Sequence, residues 1–371
     1  MAALTEEAIR RLAGFRGEAA PVTSCYLDVD GRRFLRHQDY EQELERLIRP
    51  ARSEANGDRS VHHDLRRIHE YVTREFERSR VRGLALFSCT AHELWQVFPL
   101  PVTVRSQLVI NHSPHIRQLE AVLDEYEPLG LLLADRQRAR MFVFDLGELV
   151  DKNELFEQLP RHDDDGGTWR KDHVRDHAAV LADQHLRHAA DVAFHVFQQQ
   201  GFKRLVLSAP EEITPQLEHH LHRYLQERVV ARLHLPTNAS DDEIRAAALD
   251  VETRAEREEE AGLVARLRDA VGAGRRGVAG LAGVLKALVE RRVEQLLVSH
   301  GYAEPGWRCT GCNYIGIVGR RCPVCQGEMH QVDDVVEEAV EEALAQSCRV
   351  EICVENADLD VLGRIGALLR Y

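Results

Sequence analysis

Lysine is almost missing from this 371-residue chain: four stand among 48 basic residues, at 152, 171, 203 and 286, and the other 44 are arginines. Long apolar runs are missing too. The longest, Gly277 to Val289, is broken by Lys286 and falls short of the ~20 residues that a helix needs to cross a bilayer. An integral protein with helical spans is therefore excluded, and no membrane partner is expected. The first twenty residues carry Glu6, Glu7, Arg10, Arg11 and Arg16 with no apolar stretch of the secretory kind, so the expected location is the cytoplasm. There is no phosphate-binding glycine loop, no nucleophile elbow and no dinucleotide fingerprint, which removes the commonest nucleotide-binding and hydrolase chemistries. Tandem repeats and low-complexity segments are also lacking.

An apolar fraction of 44% with 29% charged residues is that of a folded chain, and the length calls for more than one core. Three consecutive α/β domains are expected, at 1–126, 127–239 and 240–371, because strands and helices alternate through each stretch. In the first, Val22 to Val29 reads as a strand closed by Asp30-Gly31. Two helices follow between Tyr40 and Arg80 with a break near Asn56-Gly57, and strands run over 83–89 and 93–98, with Pro99 and Pro101 closing the unit. In the second, the apolar runs 129–134 and 140–146 make a hairpin. A polar loop after Pro160, a long helix to about Gln199 ended by Gly201, a buried strand over 204–208 and a helix over 214–228 complete it. The third holds an acidic helix from Ser240 to Leu267, a helix over 278–291, strands over 295–299 and 349–355, and a helix over 333–346.

Net charge is −13. That total says nothing against a local basic face, and arginine is the side chain suited to phosphate and to stacking on bases. Arg32 and Arg33 after the first strand, and Arg170 and Lys171 beside the polar loop, are candidate RNA contacts; the default for each is a solvated charge run.

Four of the eight cysteines fall as Cys309-x-x-Cys312 and, nine residues on, Cys322-x-x-Cys325. Two short knuckles of paired thiolates are the ligand spacing of a closed tetrahedral Zn²⁺ site. Sulfur fills all four positions and leaves none for an activated water, so the metal is expected to be structural, inside a zinc-ribbon-like insertion at 305–330.

The loop Asp163-Asp164-Asp165-Gly166-Gly167-Thr168-Trp169 is the second feature. Its glycines permit close approach to a partner and Trp169 can stack on a base. It reads equally as a solvated linker turning the chain into the next helix. Histidines crowd the region around and after it, at 162, 173, 177, 185, 188 and 195. His173 and His177 share a helical face, but no glutamate stands between them as in a metalloprotease, and a solvated face is the plainer reading.

Taken in order, these pieces resemble the bacterial branch of the superfamily of archaeal and eukaryotic peptide chain release factor subunit 1 and Pelota. The resemblance rests on the hairpin 130–135 with 139–144, the glycine pair entering a long basic helix, the strand 293–299, the cysteine finger after it, and the terminal Gly363 to Tyr371. It covers roughly 127–371 and, more weakly, the first domain. It implies a three-domain factor that enters the ribosomal A site, meets rRNA, and is monomeric, with a translational GTPase as a further partner class. In that family the central domain carries a Gly-Gly-Gln loop into the peptidyl transferase centre. The matching residues here are Gly166, Gly167 and Thr168, so the glutamine is replaced. Threonine is short, β-branched and without a carboxamide, and a firm catalytic residue is not assigned. The leading expectation is a non-catalytic, hibernation-type factor of the Balon-like kind that shields the site. A peptidyl-tRNA hydrolysing rescue factor and a zinc-ribbon RNA-binding adaptor are the alternatives.

Overall fold

The computed structural model of the chain describes residues 4–17, 20–55, 58–79, 81–156, 168–309, 311–312 and 314–371. They form two compact units, one made of 1–124 together with 258–371 and the other of 125–257. The α/β class expected from the alternation of elements holds in both.

The N-terminal segment opens on helix α1 (Glu6–Ala13). Its N-cap, Thr5, accepts the Ala8 N–H at 3.2 Å, and Glu6 and Glu7 sit where the helix dipole favours negative charge. Strands β1 (Val22–Asp28), β2 (Gly83–Cys89), β3 (Leu94–Leu100) and β4 (Gln107–Asn111) make an antiparallel sheet in the order β3-β2-β1-β4. Helices α2 (His37–Glu54) and α3 (Arg59–Glu70) lie between β1 and β2 in sequence. Tyr40, Leu44 and Ile48 of α2, and Val61, Leu65 and Ile68 of α3, recur every three or four residues and pack on Cys25, Leu27, Leu84 and Leu86. Asp58 caps α3 through the N–H groups of Ser60 and Val61. The expected break at Asn56-Gly57 lies outside the described residues, between helices that end at Glu54 and restart at Arg59. Pro99 and Pro101 do not close the sheet: the chain returns as β4 on the far side of β1. Helix α4 (Arg117–Glu125) follows.

The 125–257 unit holds β5 (Leu129–Ala134), β6 (Arg138–Asp145), β7 (Glu148–Phe156), helix α5 (Thr168–Gln200), β8 (Arg204–Ser208), α6 (Thr214–His220), α7 (Arg223–Gln226), β9 (Val229–Leu233) and the start of α8 (Asp241–Gly272). The sheet order is β7-β6-β5-β8-β9, with β5, β8 and β9 parallel. Leu186, Ala190 and Ala193 of α5 cover one face together with Leu217 and Leu225, while Ile244, Ala248 and Val251 of α8 cover the other. Gly130 in β5 is required by packing, since a Cβ there would stand 2.9 Å from Phe202 and from Met141. The helix expected over 214–228 is two, because Leu221 turns extended at ψ 139° and His222 caps the second through the Tyr224 N–H.

The C-terminal segment carries β10 (Gly277–Ala279), α9 (Leu281–Val289), β11 (Val293–Ser299), β12 (Gly306–Cys309), β13 (Ile315–Gly316), β14 (Met329–Val332), α10 (Val335–Ala345), β15 (Arg349–Cys353), α11 (Ala357–Val361) and β16 (Ile365–Leu369). The larger sheet runs β10-β16-β11-β15, and the smaller, β13-β12-β14, is inserted between β11 and α10. The helix expected over 278–291 begins only at Leu281. Gly280, at φ +80°, ends a short strand and turns the chain into it.

Candidate metal centre and the loop of the central unit

The insertion brings its four cysteines together. Every pair of Sγ atoms of Cys309, Cys312, Cys322 and Cys325 lies within 4.8 Å, with Cys309 to Cys325 and Cys312 to Cys322 both at 3.4 Å. None is in a disulfide. Four thiolates around a zinc ion at ~2.3 Å would stand ~3.8 Å apart along the edges of the tetrahedron, so the donor set matches the group its spacing suggests. Backbone geometry prepares it. The Val324 N–H points at the Cys322 sulfur at 3.4 Å, the Cys309 N–H bonds to the Tyr314 carbonyl and the Cys322 N–H to the Gly327 carbonyl, folding both knuckles back on themselves. A Cβ at Gly327 would lie 3.3 Å from the Cys325 sulfur, which explains a glycine at that corner. Burial resists ionisation of Cys322, yet the N–H groups of Cys325 and Val324 and the adjoining thiols outweigh it and bring the group to about 7, while burial pushes Cys312 up to about 12. Behind the sulfurs, Cys309, Cys322 and Met329 are buried with Trp307 and Tyr314 packed against them, a small apolar cluster.

Gly166 and Gly167 lie outside the described residues. Thr168, Trp169, Arg170 and Lys171 form the first turn of α5. Arg32 and Arg33 occupy the turn after β1. Asp30 builds that turn by accepting the Arg32 N–H at 3.0 Å, and the bond holds its carboxyl below the usual range, helped by Arg82 at 2.9 Å. Arg32 is exposed; Arg33 reaches Asp28 at 3.1 Å and lies over the Phe34 ring. The Arg32 pair belongs to one compact unit and Arg170 and Lys171 to the other.

Sequence reasoning missed a buried charge network on α10. Glu337, Glu338 and Glu341 are each no more than 2% exposed. Glu337 accepts the N–H groups of Ile116 at 2.6 Å and Arg117 at 3.1 Å, with His115 at 3.5 Å and the Arg117 side chain at 3.6 Å. Asn111 donates to Glu338 at 3.1 Å, Arg308 pairs with Glu338, and Arg16 stands 3.5 Å from Glu341. Runs of glutamate on a helix normally mark its wet face, and no local pattern in the sequence says otherwise.

Residues 114–253 match the family described as bacterial archaeo-eukaryotic release factor family 10. No curated protein sequence matches the chain. Among solved structures, Pelota of Archaeoglobus fulgidus is similar at 19% identity over 78% of this chain and 79% of its own, with a TM-score of 0.35. The archaeal termination factor aRF1 aligns at 14% identity over 100% and 99%, TM-score 0.26. Dom34 of S. cerevisiae aligns at 11% identity over 75% and 74%, TM-score 0.41.

Proposed function

We propose, from the premise that the chain belongs to the bacterial branch of the archaeal and eukaryotic release factor superfamily, that it is a ribosome-binding translation factor of the cytoplasm which occupies the A site without hydrolysing peptidyl-tRNA. The observation that carries this reading is the family match over 114–253, the stretch that contains the β5–β6 hairpin and the Gly166-Gly167-Thr168 segment leading into α5. Within it the residue that should follow the glycine pair as glutamine is Thr168. A hydroxyl on a branched, short side chain does not supply the carboxamide that would help place a water, so shielding of the catalytic centre is favoured over hydrolysis. In this hibernation-type role the glycine pair approaches rRNA closely, Trp169, Arg170 and Lys171 follow it as RNA contacts, and Arg32 and Arg33 form a second contact. The Cys309, Cys312, Cys322 and Cys325 cluster holds one structural zinc ion, the three segments 1–126, 127–239 and 240–371 act as successive domains of a monomer, and a translational GTPase is the partner class.

The test is co-sedimentation with ribosomes followed by a release assay. Binding should appear at low ionic strength and weaken as salt rises, because arginine contacts release counterions from phosphate. Peptidyl-tRNA on the bound ribosomes should stay intact. Gly167→Val should weaken binding, since a β-branched residue closes backbone angles that glycine allows, while Thr168→Ala leaves it unchanged. Stoichiometric peptide release that Gly167→Val abolishes while binding persists would establish the hydrolase instead, and absence of co-sedimentation at low salt rejects the ribosome reading.

A further inference from the structure

Three of the four helix-to-strand turns of the C-terminal segment deliver arginine to one end of the larger sheet. The turn from α8 to β10 carries Arg275 and Arg276, the turn from α9 to β11 carries Arg291 and Arg292, and the turn from α10 to β15 ends on Arg349. β16 runs antiparallel to β10 and β11, and β15 runs parallel to β11, so the starts of three strands and the end of the fourth coincide, adding Arg370. Backbone bonds fix the convergence. The Leu369 N–H donates to the Arg276 carbonyl and the Arg370 N–H to the Arg292 carbonyl, both at 2.8 Å. Five of the six arginines are exposed and Arg292 is half-buried. Nearby acids are few: Glu290 pairs with Arg292 at 3.1 Å, Glu294 with Arg349 at 3.3 Å, and Glu342 is taken up by the Gln346 amide at 2.7 Å. Among the described residues no carboxylate pairs with Arg275, Arg276 or Arg291. Tyr371, 67% exposed, lies beside the Arg292 guanidinium at 5.8 Å and offers a ring face at the same end.

Two of these arginines sit where the backbone favours glycine, Arg276 at φ +52° and Arg291 at φ +55°. A turn that only had to close would be better served by the smaller residue. Helix termini account for part of the basic charge, since cations suit the C-terminal ends of α8 and α9, but that role needs one charge at each end and not a row across four strands. In a chain of net charge −13 such a surplus is a local feature.

We propose that this end of the C-terminal sheet binds the phosphate backbone of RNA, with the arginine row spanning several phosphates and Tyr371 as a stacking face. The proposal rests on the ribosome-binding reading and extends it, placing an RNA contact on the segment of the chain farthest in sequence from the glycine-pair loop. Four strands at ~4.8 Å spacing give a row ~14 Å across, wide enough for more than one phosphate, and recognition of this kind is blind to base sequence.

The experiment measures binding of the full-length protein to a mixed-sequence, fluorescein-labelled single-stranded RNA, as a function of salt, for the parent and for the Arg276→Gly/Arg291→Gly double variant. Glycine suits both backbone positions, so the variant keeps its fold, checked by its thermal midpoint. The expected result is a loss of affinity on the order of 10-fold at low salt, with the slope of log affinity against log salt shallower by ~1.4, the share of two phosphate contacts on a single strand. Equal affinity and equal slope for the two proteins, with or without a change in stability, would overturn the surface and return the arginines to helix termini. Competition by poly-glutamate as effective as by unlabelled RNA would also overturn it, in favour of an acidic protein partner. Co-sedimentation of the variant with ribosomes is measured in parallel. Retained ribosome binding with unchanged RNA affinity sinks only this surface, whereas failure of the parent to co-sediment sinks the broader reading.

Discussion

Exposure to a strong zinc chelator is expected to release one zinc ion per chain and to melt the 305–330 insertion while the larger C-terminal sheet survives. The apolar cluster behind the sulfurs is small. The insertion's strand β13 is two residues long, and the cluster around the sulfurs is Cys309, Cys322 and Met329, with Trp307 and Tyr314 only partly covered; Ile315 and Arg308 are buried outside it. Structural zinc in fingers of this kind contributes ~10–16 kcal/mol of apparent binding energy, far more than so small an apolar cluster can replace. Amide hydrogen exchange reads the outcome locally: the N–H groups of Cys309, Cys322 and Met329, bonded in the finger to Tyr314, Gly327 and Arg320, should lose protection. Those of Leu296 to Ser299 in β11 should keep it. Cys322→Ser should reproduce the effect without chelator, and Cys348→Ser, a buried cysteine at the edge of β15, should leave the metal content alone. Protein purified without chelator that contains no stoichiometric zinc, or a finger whose exchange is unchanged on chelation, would refute the assignment. The effect should not stay in the finger, because β12 is fastened to α10: a Cβ on Gly306 would stand 2.5 Å from the Val335 side chain, and Arg308 enters the glutamate network.

What could be read in advance follows from how each element is stabilised. Strands β1, β2, β5 and β8 are buried at every position, so composition alone marks them. The clustering of the four cysteines was legible because their two-by-two spacing is a pattern of position and not only of composition. Strand β9, Val229 to Leu233, alternates half-buried and exposed residues at one edge of its sheet, and β7 mixes polar with apolar residues at the other; pairing holds both, and neither carries the fully buried pattern of the central strands. Strand β16 fills the gap between β10 and β11, a place that no local pattern over 365–369 announces, because it is set by pairing with strands distant in sequence. The arginine row and the α10 glutamates share a cause. Both are assembled by topology from positions that look solvated one at a time. Of the RNA-facing residues expected on sequence grounds, Arg32 is free at the surface of its turn while Arg33 is partly engaged by Asp28, so the two should not contribute equally to RNA affinity.

The largest effect of a single substitution away from the metal is expected at Glu337. Its carboxylate, 2% exposed, is the acceptor for two backbone N–H groups at the start of α4 and faces the Arg117 guanidinium, which also donates to the Tyr302 carbonyl at 2.5 Å and pairs with Asp334 at 3.1 Å. Glu337→Ala leaves both N–H groups without their acceptor and the part-buried Arg117 short of one partner, and removing the buried partner of such a pair costs up to ~3–5 kcal/mol. Glu337→Gln keeps an acceptor oxygen and should cost less. Urea unfolding midpoints measure both, and an alanine variant within ~0.5 kcal/mol of the parent would show that the network holds nothing. Charge counting adds a pH dependence. Asp334, Glu337, Glu338 and Glu341 face three guanidiniums, from Arg16, Arg117 and Arg308, and the His115 imidazole beside Glu337, so four carboxylates meet three fixed positive charges and one titratable ring. Among the carboxyls, Glu341 is the one whose burial favours the protonated form most strongly. Burial, reinforced by Glu337 and opposed by Arg16 and Arg308, raises its carboxyl from 4.5 to about 8. A carboxyl raised by folding favours the folded state fully below its unfolded value, and that stability is lost as pH rises through the folded value. Glu341→Gln imitates the protonated form, so its stability relative to the parent should increase from about pH 4.5 to about pH 8 and level off above that. A difference between the two that stays flat across that range would show that Glu341 is ionised throughout.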